Sequence, residues 1–387
     1  MRTKAAARAA IERSRTGLVD LSHRIHAKPE VGFEEEHAAS WLCEALADAG
    51  YAVERAVAGL PTAFRATRGC GPLTVAICAE YDSLPGIGHA CGHNVIGSSA
   101  IGAAIGLAEV ADDVGLTVRI VGTPAEESGG GKVLLLERGA FEGAHAAMMV
   151  HPAPLDIAEP NMIAWSQFDI HYHGKEAHAS AFPELGVNAL DALTIAQTAI
   201  GLLRQHIRPG DRVHGIITHG GDAPNVVPAH TSARYMVRAE TTAELGDIQA
   251  KVMRCFEAGA IATGARLDVQ SASPSYAEVK HDSALAALYR KNAEDLGRFF
   301  PDLSHLGKRS TGSTDMGNVS QALPSIHPTI GLGCYPVVNH QPEFAAYCAT
   351  PVADQALYDG AVAMAWTAID LAADGPLRDR LIGRARS

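Results

Sequence analysis

Three short apolar runs, Leu73 to Cys78, Leu116 to Val121 and Ala146 to Val150, constrain this chain more than any other feature. Leu73 to Cys78 and Ala146 to Val150 lack the polar alternation of a half-exposed strand, and Leu116 to Val121 is apolar apart from Thr117 and Arg119, so all three read as buried strands. Helix-like segments at Ser98 to Ala111 and Lys132 to Arg138 separate them. Strands alternating with helices predict an α/β architecture, a mostly parallel sheet flanked by helices. Ahead of them, Ile11, Leu18, Leu21 and Ile25 recur at helical spacing, and Glu34 to Ala49 reads as a second helix.

From about Ser166 the pattern changes to polar-apolar alternation in QFDIHYHG, followed by a long helix at Asn188 to His206. Two strands, HGIITHG and SARYMVRAE, then a helix at Ala243 to Ala262 and a strand at Arg266 to Gln270 complete the order β-α-β-β-α-β. That order predicts an inserted α+β domain of the split βαβ, ferredoxin-like type, with an antiparallel sheet and both helices on one face. The chain therefore divides into a first part at 1–165, an insertion at 166–276, and a second part at 277–387 that completes the first domain, its helices including Ser283 to Leu296.

The 387 residues carry 32 Lys and Arg against 43 Asp and Glu, a formal charge of −11. An acidic chain is a poor partner for nucleic-acid phosphates. The N-terminus scatters Arg and Glu where a signal peptide carries an unbroken apolar core. The most apolar stretch, Val95 to Val110, is shorter than the roughly 20 residues of a membrane span. The expectation is a soluble cytoplasmic protein without a nucleic-acid or membrane partner. Seven cysteines, an odd number without the dense spacing of a disulfide scaffold, are expected to be mostly reduced and buried, Cys334 and Cys348 among them.

Chemistry gathers where the apolar runs end. HACGHN, His89 to Asn94, lies between the first run and the helix that follows, and Cys91 and His93 offer a thiolate and an imidazole suited to a transition metal. The second run ends in GTPAEES, whose adjacent Glu126 and Glu127 repel each other unless a cation or proton lies between them. The third ends at His151, and His340 follows another apolar pair in PVVNHQPEF. Taken singly, each residue has a structural explanation. Together, Cys91, His93, Glu127, His151 and His340 exceed one tetrahedral site and point to two metal ions.

AEYDSLPGIGHACGHN, GTPAEESGGGK, MMVHP, HGKEAHAS, GGDAPNVVP, STDMGNVS and VVNHQPEF, taken in order, resemble the dinuclear metal amidohydrolases of the aminoacylase and glutamate carboxypeptidase superfamily. The nearest branch contains indole-acetyl amino acid hydrolases, p-aminobenzoyl-glutamate hydrolase subunits and a β-alanyl-lysine dipeptidase. The resemblance runs from about Val19 to Leu371. It implies that Cys91, His93, Glu127, His151 and His340 are the metal ligands, Glu126 is the general base, and the insertion is a lid through which two chains dimerise. It further implies that His178 reaches across the dimer to steady the oxyanion, and that Asn225 and Arg238 grip the substrate's carboxylate or polar end.

Other residues carry narrower expectations. Asp82 is placed to hold a ligand imidazole in one tautomer, His89 to orient the metal motif from behind, and His327 either to touch substrate or to pack. Asp315 in STDMG is either structural or substrate-facing. The chain departs from much of the superfamily in having Cys91-x-His93 for His-x-Asp, and from many amidohydrolases in having Asn94 for Asp. Zinc and manganese both remain open.

The expected activity is hydrolysis of the amide bond in an N-acyl amino acid, an aminobenzoyl-glutamate-like conjugate or an unusual dipeptide. The same residues would also serve a hydrolytic deaminase that releases ammonia from an amino-substituted substrate. Two further readings make Cys91 a covalent nucleophile with His93 as its base, or the chain a binding subunit without turnover. Chelation separates the thiol reading from the metal one.

Overall fold

The computed structural model describes residues 2–127, 129–303 and 312–384. Two compact units divide the chain: one runs up to Asn161 and resumes at Val279, and the other is Met162–Glu278.

The first unit is built on a six-stranded sheet in the order Ala52–Arg55, Phe64–Arg68, Leu116–Gly122, Leu73–Ala79, Ala146–Met148, Ser325–Ile326. The four strands from Leu116–Gly122 onward are parallel, and the first two pair antiparallel at one edge. Leu73–Ala79 is buried at every position. Val75, Ile77 and Ala79 face one apolar cluster, with the helices Arg2–Ala27, His93–Ala108 and Pro351–Ala373, whereas Ala76 and Cys78 face another, with Leu135, Met316 and Val319. Cover on both faces is why this strand is apolar without alternation.

Close packing explains the glycines of the central helix. A Cβ at Gly102 would lie 2.7 Å from Ala361 Cβ, and one at Gly106 would lie 2.7 Å from Ile11 Cδ1. Among the described residues no helix is long and apolar enough to cross a membrane. All seven cysteines are free thiols, Cys70 exposed and the other six buried.

Two local features differ from expectation. Strands Ala52–Arg55 and Phe64–Arg68 were not foreseen, because the first is a mostly exposed edge whose AVER sequence carries no apolar pattern. The central helix begins at His93 rather than Ser98, since Gly92, at φ 79°, turns the chain directly into it. His93 and Asn94 therefore sit in a helical first turn.

The second unit, Met162–Glu278, has a four-stranded antiparallel sheet in the order Arg266–Ser271, Ala164–His173, His230–Ala239, Arg212–His219. Helices Ala189–Leu203 and Thr242–Thr263 bury Leu193, Ala196, Ile248, Val252 and Phe256 against Phe168, Ile170, Tyr172, Ala233, Tyr235 and Val237. Each helix starts on a capping side chain, Asn188 accepting from Leu190 and Asp191 N–H and Thr241 from Glu244 N–H. A Cβ at Gly259 would meet the Ala192 carbonyl at 2.1 Å, so glycine sets the spacing of the two helices.

Candidate metal centre

Parallel strands deliver their following residues to one edge of a sheet, the edge where open α/β proteins bind ligands. Leu73–Ala79 leads to Glu80 and Asp82, Leu116–Gly122 to Glu126 and Glu127, and Ala146–Met148 to His151. His340 arrives from the loop before Pro342–Tyr347, its N–H bonded to the Ala90 carbonyl at 2.8 Å. The six residues that sequence reasoning singled out as ligands and base are brought together. Cys91, His93 and His151 form one group of donors, Cys91, Glu127 and His340 a second, and His93, Glu126 and Glu127 a third, each with its donor atoms within 4.8 Å of one another.

Individual separations give the arrangement its shape. Cys91 Sγ lies 3.5 Å from His151 Nε2, His93 Nε2 lies 3.8 Å from Glu127 Oε1, and His340 Nε2 lies 3.4 Å from Glu127 Oε2. His93 and His151 use their other ring nitrogens as donors, to Asp82 Oδ1 at 2.9 Å and to the Pro152 carbonyl at 2.8 Å. That choice leaves each Nε2 with its lone pair facing the cluster. His93 Nε2 and Glu127 Oε1 are both buried, and neither has a hydrogen-bond partner. Buried polar atoms are rarely left so, and a cation is the partner that imidazole, thiolate and carboxylate share. The residues present fit bound divalent metal.

Charge crowding agrees. Burial, followed by Glu80 and Glu127, raises the Glu126 carboxyl well above the usual carboxylate range, and burial raises Glu127 as well. A nearby cation would relieve both shifts. Asp82 ties two donors together, because its Oδ1 holds His93 and its Oδ2 accepts the Glu127 N–H at 3.0 Å. Replacing Asp82 by Asn is expected to weaken metal binding about 10–100-fold, read by competition with a chromophoric chelator.

Residues 76–349 match the sequence model of peptidase family M20/M25/M40. The chain belongs to that family. An Xaa-Arg dipeptidase of Mus musculus is 38% identical over 377 residues, covering 93% of this chain and 87% of that protein. A p-aminobenzoyl-glutamate hydrolase subunit of Escherichia coli (strain K12) is 33% identical over 333 residues, 81% of this chain and 67% of that one. In fold, the chain resembles a dinuclear metal binding peptidase of the M20 family from Bacillus subtilis, with TM-score 0.65 and 21% identity over 91% of this chain and 98% of that one. This M20 member is a hydrolytic enzyme that acts on amide bonds.

Beside the candidate metal donors, the M20 member holds a buried ionic network of which sequence reasoning noted only Asp315, as structural or substrate-facing. Lys132, Glu80 and Asp315 are fully buried, with Lys132 Nζ bonded to Glu80 Oε1 and, at 2.7 Å, to Asp315 Oδ1. Asp315 also accepts the Lys132 N–H at 2.8 Å, so it is a structural anchor. The one available signal was a lone lysine directly before the apolar run VLLL.

The remaining expected residues fall in three places. His327 is buried with its ring 5.4 Å from that of His151, at the metal cluster. His89 is buried too, but its ring stacks on His26 at 6.1 Å and makes no hydrogen bond to a candidate ligand. In the second unit, His178 is exposed and its Nδ1 accepts from Ser180 and Ala181 N–H at 3.3 and 3.2 Å. Asn225 lies on the adjoining segment, its carbonyl accepting the Ala179 N–H at 3.0 Å. Arg238 is near the opposite end of the sheet, with its guanidinium 6.0 Å from the Trp165 ring centre.

Proposed function

We propose that the enzyme hydrolyses the amide bond of a small N-substituted amino acid, a dipeptide in the first instance. Two divalent ions, zinc or manganese, would be held by Cys91, His93, Glu127, His151 and His340. The observation that carries this reading is the buried, unpartnered pair His93 Nε2 and Glu127 Oε1, 3.8 Å apart inside a set of further donors. Bound there, divalent ions supply Lewis-acid activation of water and of the scissile carbonyl.

Glu126 takes the proton of the attacking water and passes it to the leaving nitrogen. Its buried position among the donors, in a group with His93 and Glu127, places it to make that exchange. His178 offers Nε2 to the oxyanion while its Nδ1 is occupied by backbone N–H groups. Asn225, beside His178, and Arg238, near the other end of the sheet, would reach the substrate's carboxylate or polar end from different subunits of a dimer, a guanidinium having the geometry that matches a carboxylate, and His327 adds a contact beside His151. We further assign the inserted segment 166–276 the role of lid and dimer contact, so that His178 serves the neighbouring subunit. The named activities of the 38% and 33% identical relatives support a dipeptide or an aminobenzoyl-glutamate-like conjugate.

Cys91 is a poor candidate for a covalent nucleophile, since burial and then Glu127 push its thiol well above the ordinary value. Dialysis against a chelator is expected to abolish release of free amino acid from dipeptides, and zinc or manganese to restore it. Activity that survives chelation overturns the reading. Ammonia appearing in place of the amino acid replaces it with deamination.

A further inference from the structure

The open face of the second unit's sheet carries four histidines that no step of hydrolysis uses. His171 and His173, two apart on strand Ala164–His173, point to the same face, opposite the helices that cover Ile170 and Tyr172. His230, on the adjacent strand, is the cross-strand partner of His173, and His219 comes from the next strand. Their rings form a stack, His230 lying 5.4 Å from His171, 5.2 Å from His173 and 5.3 Å from His219 between centroids. His171 Nδ1 and His230 Nε2 are 3.1 Å apart. That contact is a hydrogen bond between the two rings; two nitrogens sharing one tetrahedral zinc ion at 2.0–2.1 Å would stand about 3.3 Å apart, so an ion would take the place of that bond.

We propose that His171, His173 and His230, with His219 as a fourth donor, form a second transition-metal site, separate from the hydrolytic centre, for zinc, nickel or copper(II). A His-x-His pair on one strand chelates from a single face, and a third imidazole across the ladder closes the set. All-imidazole donors select these metals over calcium or magnesium, which require oxygen. Partial burial, then the neighbouring His173, His171 and His219, lower the affinity of His230 for a proton, which keeps its lone pair available. The nearby acids are Asp222, 3.8 Å from His219 Nε2, and Asp169, two residues before His171 on the same face and paired with Arg234. The rings are only partly buried, so turning their edges onto an ion needs side-chain rotation and no shift of the ladder. This second site does not depend on the hydrolytic reading.

The test is zinc bound per chain at fixed free Zn2+, measured by equilibrium dialysis and elemental analysis. Wild type is compared with the double variant His171→Gln/His230→Gln and, independently, with His173→Gln, after thermal unfolding has checked that each is folded. Both variants are expected to bind one zinc fewer than wild type. Wild-type stoichiometry in both, or a loss confined to one, overturns the three-imidazole site.

Discussion

Glu126→Gln is expected to lower kcat by about 10²–10⁴-fold, the range a general acid–base group supplies, while metal bound per chain stays at the wild-type level. The substitution keeps the shape and the buried position of the side chain and removes only its capacity to accept a proton. Glu126 Oε2 lies 4.0 Å from His93 Nε2, inside the donor cluster, so it is placed to serve water activated there. Glu127→Gln supplies the contrast. Glu127 is within 3.8 Å of both His93 and His340 nitrogens, and its loss is expected to cost metal as well as turnover. Parallel measurement of kcat and metal content separates base from ligand. If Glu126→Gln turns over near the wild-type rate, the role given to it fails.

Lys132→Met is expected to destabilise the fold by about 3–5 kcal/mol, the cost of breaking a buried ion pair from one side. Lys132 is fully buried, and its ammonium is held charged by Asp315 and Glu80 against the burial that would strip its proton. Burial would raise Glu80, yet Lys132, with His93 next, draws its carboxyl down to about 2. Removing the cation strands Glu80 and Asp315 beside Glu126, in a region already crowded with negative charge. The effect is read as a lowered denaturant midpoint. Adding Glu80→Gln and Asp315→Asn to Lys132→Met should recover part of it, because no uncompensated charge then remains buried. An unchanged midpoint in Lys132→Met would show that the network carries no such weight.

Much of the site was legible because its residues directly follow apolar runs, and such runs announce strand ends. His151 and the Glu126–Glu127 pair were found this way, each within five residues of the end of a buried strand. The Lys132 network was not, since its partners are 52 and 183 residues distant and no local pattern records their meeting. The start of the central helix was misplaced because polar His93 and Asn94 look like loop. They are buried there by specific partners: Asn94 donates to Ser22 Oγ and to the Cys348 carbonyl, both at 2.9 Å. An ionised aspartate could accept from the Ser22 hydroxyl but could not donate to the Cys348 carbonyl, which gives a structural reason for asparagine at this position. The histidine stack of the second sheet escaped notice because its members come from three strands.

Asp82 spans the ends of two neighbouring strands, one oxygen on an imidazole and the other on a backbone amide. Any change in the spacing of those strand ends is felt by His93 and Glu127 at once. The two candidate donors are therefore set as a linked pair: a variant that shifts one to suit a larger or smaller ion would shift the other with it, unless it also removes the aspartate that yokes them.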